Sequence, residues 1–252
     1  MVLKTITHKG KRVILEFDQG PSLDLHLEAY VEASLREGTT LTPKTKDALL
    51  ERSAYYDAAQ AAFKALSHKP YTLKAMRDKL TLKYSSKTTE AVITMLVQHR
   101  YLDDERLLQS RLEDALNFEV KGPKHYQNAW VRYGFSPTNI AQALSHIDES
   151  VWLARCEALL EQTLKHTKPL PVAALKRHLY QTALRAGYSG ATIEEALRQV
   201  TLNDVDEAAL LQTAIDRVKG RYDVTIAKDK HALIQRLLRQ GFSYEAIKKH
   251  LG

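Results

Sequence analysis

The sequence predicts a mainly α-helical protein, an elongated, curved array of tandem three-helix repeats with a small β-rich unit at its N-terminus. Three observations lead there. A glycine–aromatic–serine triplet recurs as Gly134-Phe135-Ser136, Gly187-Tyr188-Ser189 and Gly241-Phe242-Ser243, at intervals of 53 and 54 residues. Upstream of each triplet lies an amphipathic stretch that begins near acidic residues. The first fifty residues differ, with β-rich runs set between turn signals.

Taken in order, Val2 to Thr7 and Arg12 to Phe17 read as strands, with a turn at His8-Lys9-Gly10 between them. Asp18-Gln19-Gly20-Pro21 is a second turn, after which Leu23, Leu25 and Leu27 alternate with polar residues as in a third strand. A short helix over Glu28–Leu35 follows and stops near Gly38. Three short strands bury too little surface to stand alone, so this unit, residues 1–41, must lean on a neighbour.

From residue 42 onward the pattern is helical and divides into repeats at 42–100, 101–146, 147–200 and 201–252. In each corner the glycine supplies a left-handed residue that closes a helix. The serine is placed to cap the next helix, and the aromatic between them is buried. Ile140 and Leu144, Ile193 and Leu197, and Ile247 and Leu251 follow at identical offsets and give that next helix its inward stripe. Arg132, Arg185 and Arg239 stand two residues before the glycines, each preceded by an apolar residue (Val131, Leu184, Leu238). A degenerate copy, Lys83-Tyr84-Ser85, lies 51 residues before the first glycine. The third helix of each unit is the upstream stretch, Glu105–Phe118, Val151–His166 or Glu207–Val218, starting near Asp103-Asp104-Glu105, Asp148-Glu149 and Asp206-Glu207. The period exceeds the ~34 residues of tetratricopeptide and the ~40–47 of HEAT repeats.

The 252 residues are 44% apolar and 27% charged, ordinary globular usage. A single cysteine excludes a disulfide scaffold or a Cys-rich zinc site, and no apolar run resembles a signal peptide or a membrane span. A soluble, cytoplasmic monomer is expected. The net charge of +7 is unevenly spread: residues 51–100 hold nine cations against four anions, 218–252 eight against three, and 101–150 five against eight. Separated basic blocks suit a long molecule touching a charged partner in more than one place.

The candidate contacts are therefore basic. In the first repeat they are Lys74, Arg77, Lys79 and Lys83, with Lys69 and Lys87 nearby; Lys79 and Lys83, four apart, fall on one helical face. Later come Lys121, Lys124, Arg132, Arg185, Arg236, Arg239, Lys248 and Lys249. The competing reading is a solvated face, or for the three corner arginines a complement to a helix C-terminus. Tyr101-Leu102-Asp103-Asp104 reads either as a partner patch or as a helix cap with two residues packed on the preceding module. Ten scattered histidines show no metal-ligand spacing, no phosphate-binding glycine loop occurs, and Cys156 sits in a helical apolar pattern as a core thiol. No catalytic, cofactor or metal residues are expected, and the protein is read as a non-enzyme.

The run Tyr101-Leu102-Asp103-Asp104-Glu105-Arg106, with Lys121-Gly122 and then Arg132-Tyr133-Gly134-Phe135, resembles the core signature of the RecX family. The stretch Leu237-Leu238-Arg239-Gln240-Gly241-Phe242-Ser243-Tyr244-Glu245-Ala246-Ile247 is similar to that family's C-terminal repeat. A β-rich start followed by four repeats resembles the longer members of Gram-positive bacteria. The resemblance covers essentially the whole chain, strongest over residues 95–145 and 230–251. Leu107-Leu108-Gln109, and Lys83 in place of the corner glycine, depart from the family pattern. The resemblance implies a regulator, in the main an inhibitor, of the RecA recombinase in recombination, DNA repair and the SOS response. Such a protein would bind the groove of the RecA filament on single-stranded DNA, modulate its ATPase, strand exchange and stability, and touch nucleic acid only weakly. The alternatives are a direct DNA-binding helix–turn–helix protein and an inert helical scaffold. The helices after the corners, such as Asn139–Leu144, are poor in cations apart from Lys248-Lys249, which speaks against the DNA reader.

Overall fold

The N-terminal unit is an antiparallel sheet in the order β1 (Leu3–Lys9), β2 (Arg12–Phe17), β3 (Leu23–His26). It belongs to a computed structural model that describes residues 1–202, 206–218, 220–222 and 225–251. The first hairpin is tighter than expected. His8 pairs with Val13 and Lys9 with Arg12, which leaves only Gly10-Lys11 to turn the chain, with Gly10 at φ 62°. Leu3, Val13, Leu15, Leu23 and Leu25 form the sheet's buried side. The third strand stops before Leu27, because the His26 ring accepts the Glu28 N–H at 3.2 Å and caps α1 (Leu27–Ala33). That helix closes on left-handed Ser34 (φ 50°), ahead of Gly38.

The sheet leans on α2 (Pro43–Leu66). Arg12 reaches both Asp57 oxygens at 2.7 Å, the His26 N–H donates to Ser53 Oγ at 2.7 Å, and Leu49 joins the sheet's core. Further along α2, Ala58, Ala59, Ala62 and Ala65 present almost no side chain. This lets α3 (Leu73–Thr81) and α4 (Ser86–Gln98) pack Met76, Leu80, Val92, Ile93 and Leu96 against it.

The remaining helices are α5 (Asp104–Phe118), α6 (Pro123–Tyr133), α7 (Pro137–Ser145), α8 (Glu149–His166), α9 (Val172–Arg185), α10 (Gly190–Gln199), α11 (Glu207–Asp216), α12 (Ala227–Gln240) and α13 (Tyr244–Leu251). From α2 on, the helices follow in threes, each set ending with a pair joined at a corner. By compactness the chain forms two units, residues 1–110 with 132–136 and residues 111–131 with 137–252, a division that runs through the expected second repeat. In the second unit, Cys156, Leu160, Leu175, Leu179, Ala183, Tyr188 and Ile193 make one core and Leu211, Leu233, Leu237, Phe242 and Ile247 another.

The corners show why glycine recurs. Gly134, Gly187 and Gly241 adopt φ of 108°, 95° and 99°. The Tyr188 N–H reaches back five residues to the Ala183 carbonyl and the Gly187 N–H reaches Leu184, with the same pair of bonds at Phe242 and Gly241, the Schellman closure. Ser189 and Ser243 then accept the Thr192 and Ala246 N–H groups at 3.1 Å, capping α10 and α13. Each aromatic, Phe135, Tyr188 and Phe242, is buried. The first repeat's corner is one residue shorter. Tyr84 reaches only four back, to Leu80, so no left-handed residue is needed there and Lys83 is tolerated.

A second constraint acts at the same positions. A Cβ on Gly187 would overlap the His125 backbone nitrogen and stand 2.9 Å from the His125 Cβ. One on Gly241 would lie 2.7 Å from the Ala174 Cβ, and one on Gly134 2.6 Å from Thr72 Oγ1. Gly122 has an ordinary φ, yet its Cβ would overlap the backbone of Gly187 and Tyr188. The Gly122 and Lys124 N–H groups donate across this seam to the Ala186 and Gly187 carbonyls at 2.9 and 3.2 Å. In each seam the end of a second helix presses on the first turn of the preceding second helix.

These constraints separate by mutation. Gly187→Val is expected to cost more than ~1 kcal/mol, since it meets both the left-handed φ and the backbone overlap. Gly122→Ala tests overlap alone and is expected to cost ~1–3 kcal/mol; Gly10→Ala, with open space around it, tests φ alone at ~1 kcal/mol or less. Chemical denaturation reads all three, and a neutral Gly122→Ala would show that the seam yields. Cys156 offers a pH test. Its burial pushes the thiol up to about 11, so between the ordinary value of 9.0 and about 11 the folded protein keeps a proton that the unfolded chain releases. The thiol's contribution is thus intact below pH 9 and lost progressively above it. Alkylation at pH 8 is expected only after unfolding; rapid native-state labelling would contradict this.

Candidate partner-binding surface

The structure sorts the candidate cations into three groups. Two members of the first-repeat set are held by carboxylates. Arg77 donates from Nε and Nη2 to Glu90 at 2.6 and 3.2 Å, tying α3 to α4, and this pairing raises its pKa and lowers that of Glu90. Lys87 lies 2.6 Å from Glu51. Lys69 and Lys79 both stand over the Tyr71 ring, at 5.0 and 5.9 Å, an exposed cation–π cluster. Lys74 and Lys83 are exposed. Lys83 lies beyond the end of α3, in the closing turn, so it does not share a regular helical face with Lys79.

The second group collects at the seams. In the first unit, a Cβ on Gly134 would stand 3.5 Å from the Lys74 Cβ, so the corner just after Arg132 sits beside the first turn of α3. In the second unit, the backbone bonds from Gly122 and Lys124 to Ala186 and Gly187 set Lys121 and Lys124 next to Arg185. Lys74 and Lys124 each occupy the second position of a helix, where the helix's own dipole disfavours a cation. The C-terminus of α9 ends against the start of α6 and offsets this for Lys124. At the Gly241 seam the first turn of α9 carries Ala173 and Ala174 in place of a lysine.

The third group stays apart. Lys248 and Lys249 are exposed in the last turn of α13, where they complement the helix dipole. Arg236 is half-buried, its Nε enclosed without a hydrogen-bond partner among the described residues.

Tyr101-Leu102-Asp103-Asp104 resolves largely in favour of packing and capping. Leu102 is buried in the first repeat's core, the exposed Tyr101 ring meets Phe63 edge-on at 4.9 Å, and Asp103 accepts the Arg106 N–H at 3.0 Å. Asp104 does something sequence reasoning missed. It accepts the Leu73 N–H at 2.8 Å, capping α3 of the preceding repeat. Its pKa is raised, first by burial and further by Asp103, while the Leu73 bond opposes the shift. Glu207 does the same for α9, accepting the Val172 N–H at 2.7 Å. At the equivalent place between them α6 opens with Pro123, which has no N–H to cap. The recurring acidic pairs were the signal: the first acid caps its own helix, the second a neighbour. Arg155 was also missed. From α8 it donates to the carbonyls of Leu116 (2.6 Å), Ala115 (3.0 Å) and Glu119 at the end of α5.

A cavity of about 400 Å³ in the second unit is lined by Leu164, Leu170, Leu175 and Leu210 among others and includes none of the candidate cations. Among the described residues no cluster of three or more His, Cys, Asp or Glu could hold a metal ion, and no helix is long and apolar enough to cross a membrane.

No protein-family model matches the chain. Its sequence is 24% identical to the regulatory protein RecX of Streptococcus mutans over 258 residues, covering 100% of this chain and 98% of that protein. It is 22% identical to RecX of Listeria innocua, covering 98% and 94%, and 24% identical to RecX of Staphylococcus epidermidis, covering 94% and 88%. Among solved structures, a crystal structure of regulatory protein RecX aligns with a TM-score of 0.65 at 17% identity, over 79% of this chain and 99% of that one. RecX from Lactobacillus salivarius aligns with a TM-score of 0.53 at 20% identity, over 58% and 96%. These structures share the fold.

The cross-repeat cap yields a paired test. Glu207→Ala strands the Val172 N–H and is expected to cost ~1 kcal/mol. Glu149→Ala, which faces no such N–H at Pro123, is expected to cost only a few tenths as a lost first-turn charge. Equal melting shifts for the two variants would refute the cap.

Proposed function

The chain belongs to the RecX family and is a RecX-type regulator, and we propose that it acts on the RecA filament assembled on single-stranded DNA. In this reading the protein lies in the helical groove of the filament, slows ATP hydrolysis and strand exchange, and alters filament stability in recombination and repair. The match to RecX regulators over nearly the whole length of both chains carries the proposal. The distribution of cations supports it. They gather around Tyr71 and the adjoining Gly134 seam in the first unit and at the Gly187 seam in the second, rather than on one recognition helix. Several weak contacts on one chain add to useful affinity when the partner can meet them together.

The direct DNA reader has less behind it. The helices that follow the corners would be its recognition elements, and α7 carries no lysine or arginine at all.

The test is RecA's single-stranded-DNA-dependent ATPase rate, titrated with this protein beside a bare-DNA binding control. The rate is expected to fall at concentrations too low to coat free DNA. No effect on RecA, with binding to bare DNA that weakens steeply with salt, would favour the direct DNA reader. Lys79→Glu with Lys83→Glu is expected to raise the half-inhibiting concentration while helicity and melting temperature hold; unchanged inhibition would remove those lysines from the contact.

A further inference from the structure

We propose that the apolar–arginine pairs at the ends of α9 and α12, Leu184–Arg185 and Leu238–Arg239, form a contact element that a partner protein engages twice. The core makes little use of these residues, Leu238 alone of the four packing partly against the C-terminal core. Leu179 and Ala183 on α9, and Leu233 and Leu237 on α12, fill the inward positions. Leu184 is left 45% exposed, Leu238 is half-buried, and both arginines are exposed. Arg185 Nε donates to the Gln181 carbonyl of its own helix at 3.2 Å, and its terminal amino groups have no partner among the described residues.

A single exposed leucine on a surface is ordinary. Its recurrence at one place relative to the corner is not, and the Val131–Arg132 step repeats the same residue types. Helix-dipole complementarity accounts for an arginine at a C-terminus, but not for the apolar residue beside it. Both pairs stand just before glycines pinned to a neighbouring helix, Gly187 on His125 and Gly241 on Ala174, so the scaffold holds each at a fixed place beside its corner.

The chemistry selects the partner. An arginine beside a leucine fits a protein surface that sets a carboxylate next to an apolar notch. A phosphodiester backbone offers oxygens for the arginine and nothing for the leucine. Two elements of the same residue types on one chain fit a partner that presents the same patch at intervals, as an assembly of identical subunits does. The identity of that assembly rests on the filament reading above.

The experiment compares full-length parent, Leu184→Ser, Arg185→Glu, Arg239→Glu and the double arginine variant. It reads RecA ATPase inhibition, bare single-stranded DNA binding by anisotropy, and thermal melting. Each single arginine reversal is expected to raise the half-inhibiting concentration ~5–10-fold and the double variant more than either. Leu184→Ser is expected to weaken inhibition without any change of charge; bare-DNA binding is expected to hold throughout, and melting to fall only slightly in the arginine variants, through the reversed helix-end charge. Variants that inhibit like the parent would remove the element while leaving the filament reading intact. A parallel loss of bare-DNA binding would make the arginines phosphate contacts and overturn the proposal. A parent that leaves the ATPase untouched would remove the filament reading, and this partner with it.

Discussion

The repeat depends on places where one backbone lies against another with no side chain between them. In the second unit the end of α9 meets the start of α6, Gly122 and Lys124 donate to the Ala186 and Gly187 carbonyls, and neither Gly122 nor Gly187 has room for a Cβ. Gly187 must also take a left-handed φ to close its own helix. Only glycine satisfies both demands. With that contact fixed, the aromatic enters the core and the serine is placed to cap the next helix. Gly241 makes a similarly close approach to Ala174 in the same unit, while Gly134 in the first unit stands against the Thr72 side chain.

Residues under a double constraint are the legible ones. The glycine–aromatic–serine corners, the buried Ile140, Ile193 and Ile247 after them, and the helices of the array could be read from spacing because the same residue types recur at the same offsets. What stayed hidden depends on tertiary partners. Arg100 and Ser34 hold left-handed backbone at φ 57° and 50° without a glycine to announce it. Lys83 shows that a corner glycine is missing, but only the shorter Tyr84-to-Leu80 closure shows why that costs nothing. The acidic pairs were visible, yet that Asp104 and Glu207 serve a neighbouring helix follows from where the chain brings Leu73 and Val172. The candidate cations were least legible of all. Arg77 and Lys87 belong to ion pairs, and nothing local in the sequence distinguishes them from the exposed Lys74.

The same seams link fold to regulation. They bring cations that are distant in sequence, such as Lys121 and Arg185, to one place. A chain built this way can act through surfaces spaced by its repeats. In the proposed filament reading, its influence on the assembly would come from meeting several subunits through individually weak contacts.

The most direct measurement is co-sedimentation with preformed RecA filaments on single-stranded DNA, at a salt concentration where the protein no longer binds bare DNA. Retention on the filament at that salt is the expected result, and it would establish recognition of the protein assembly itself. Release from filament and bare DNA together as salt rises would contradict it and leave a phosphate-directed binder in its place.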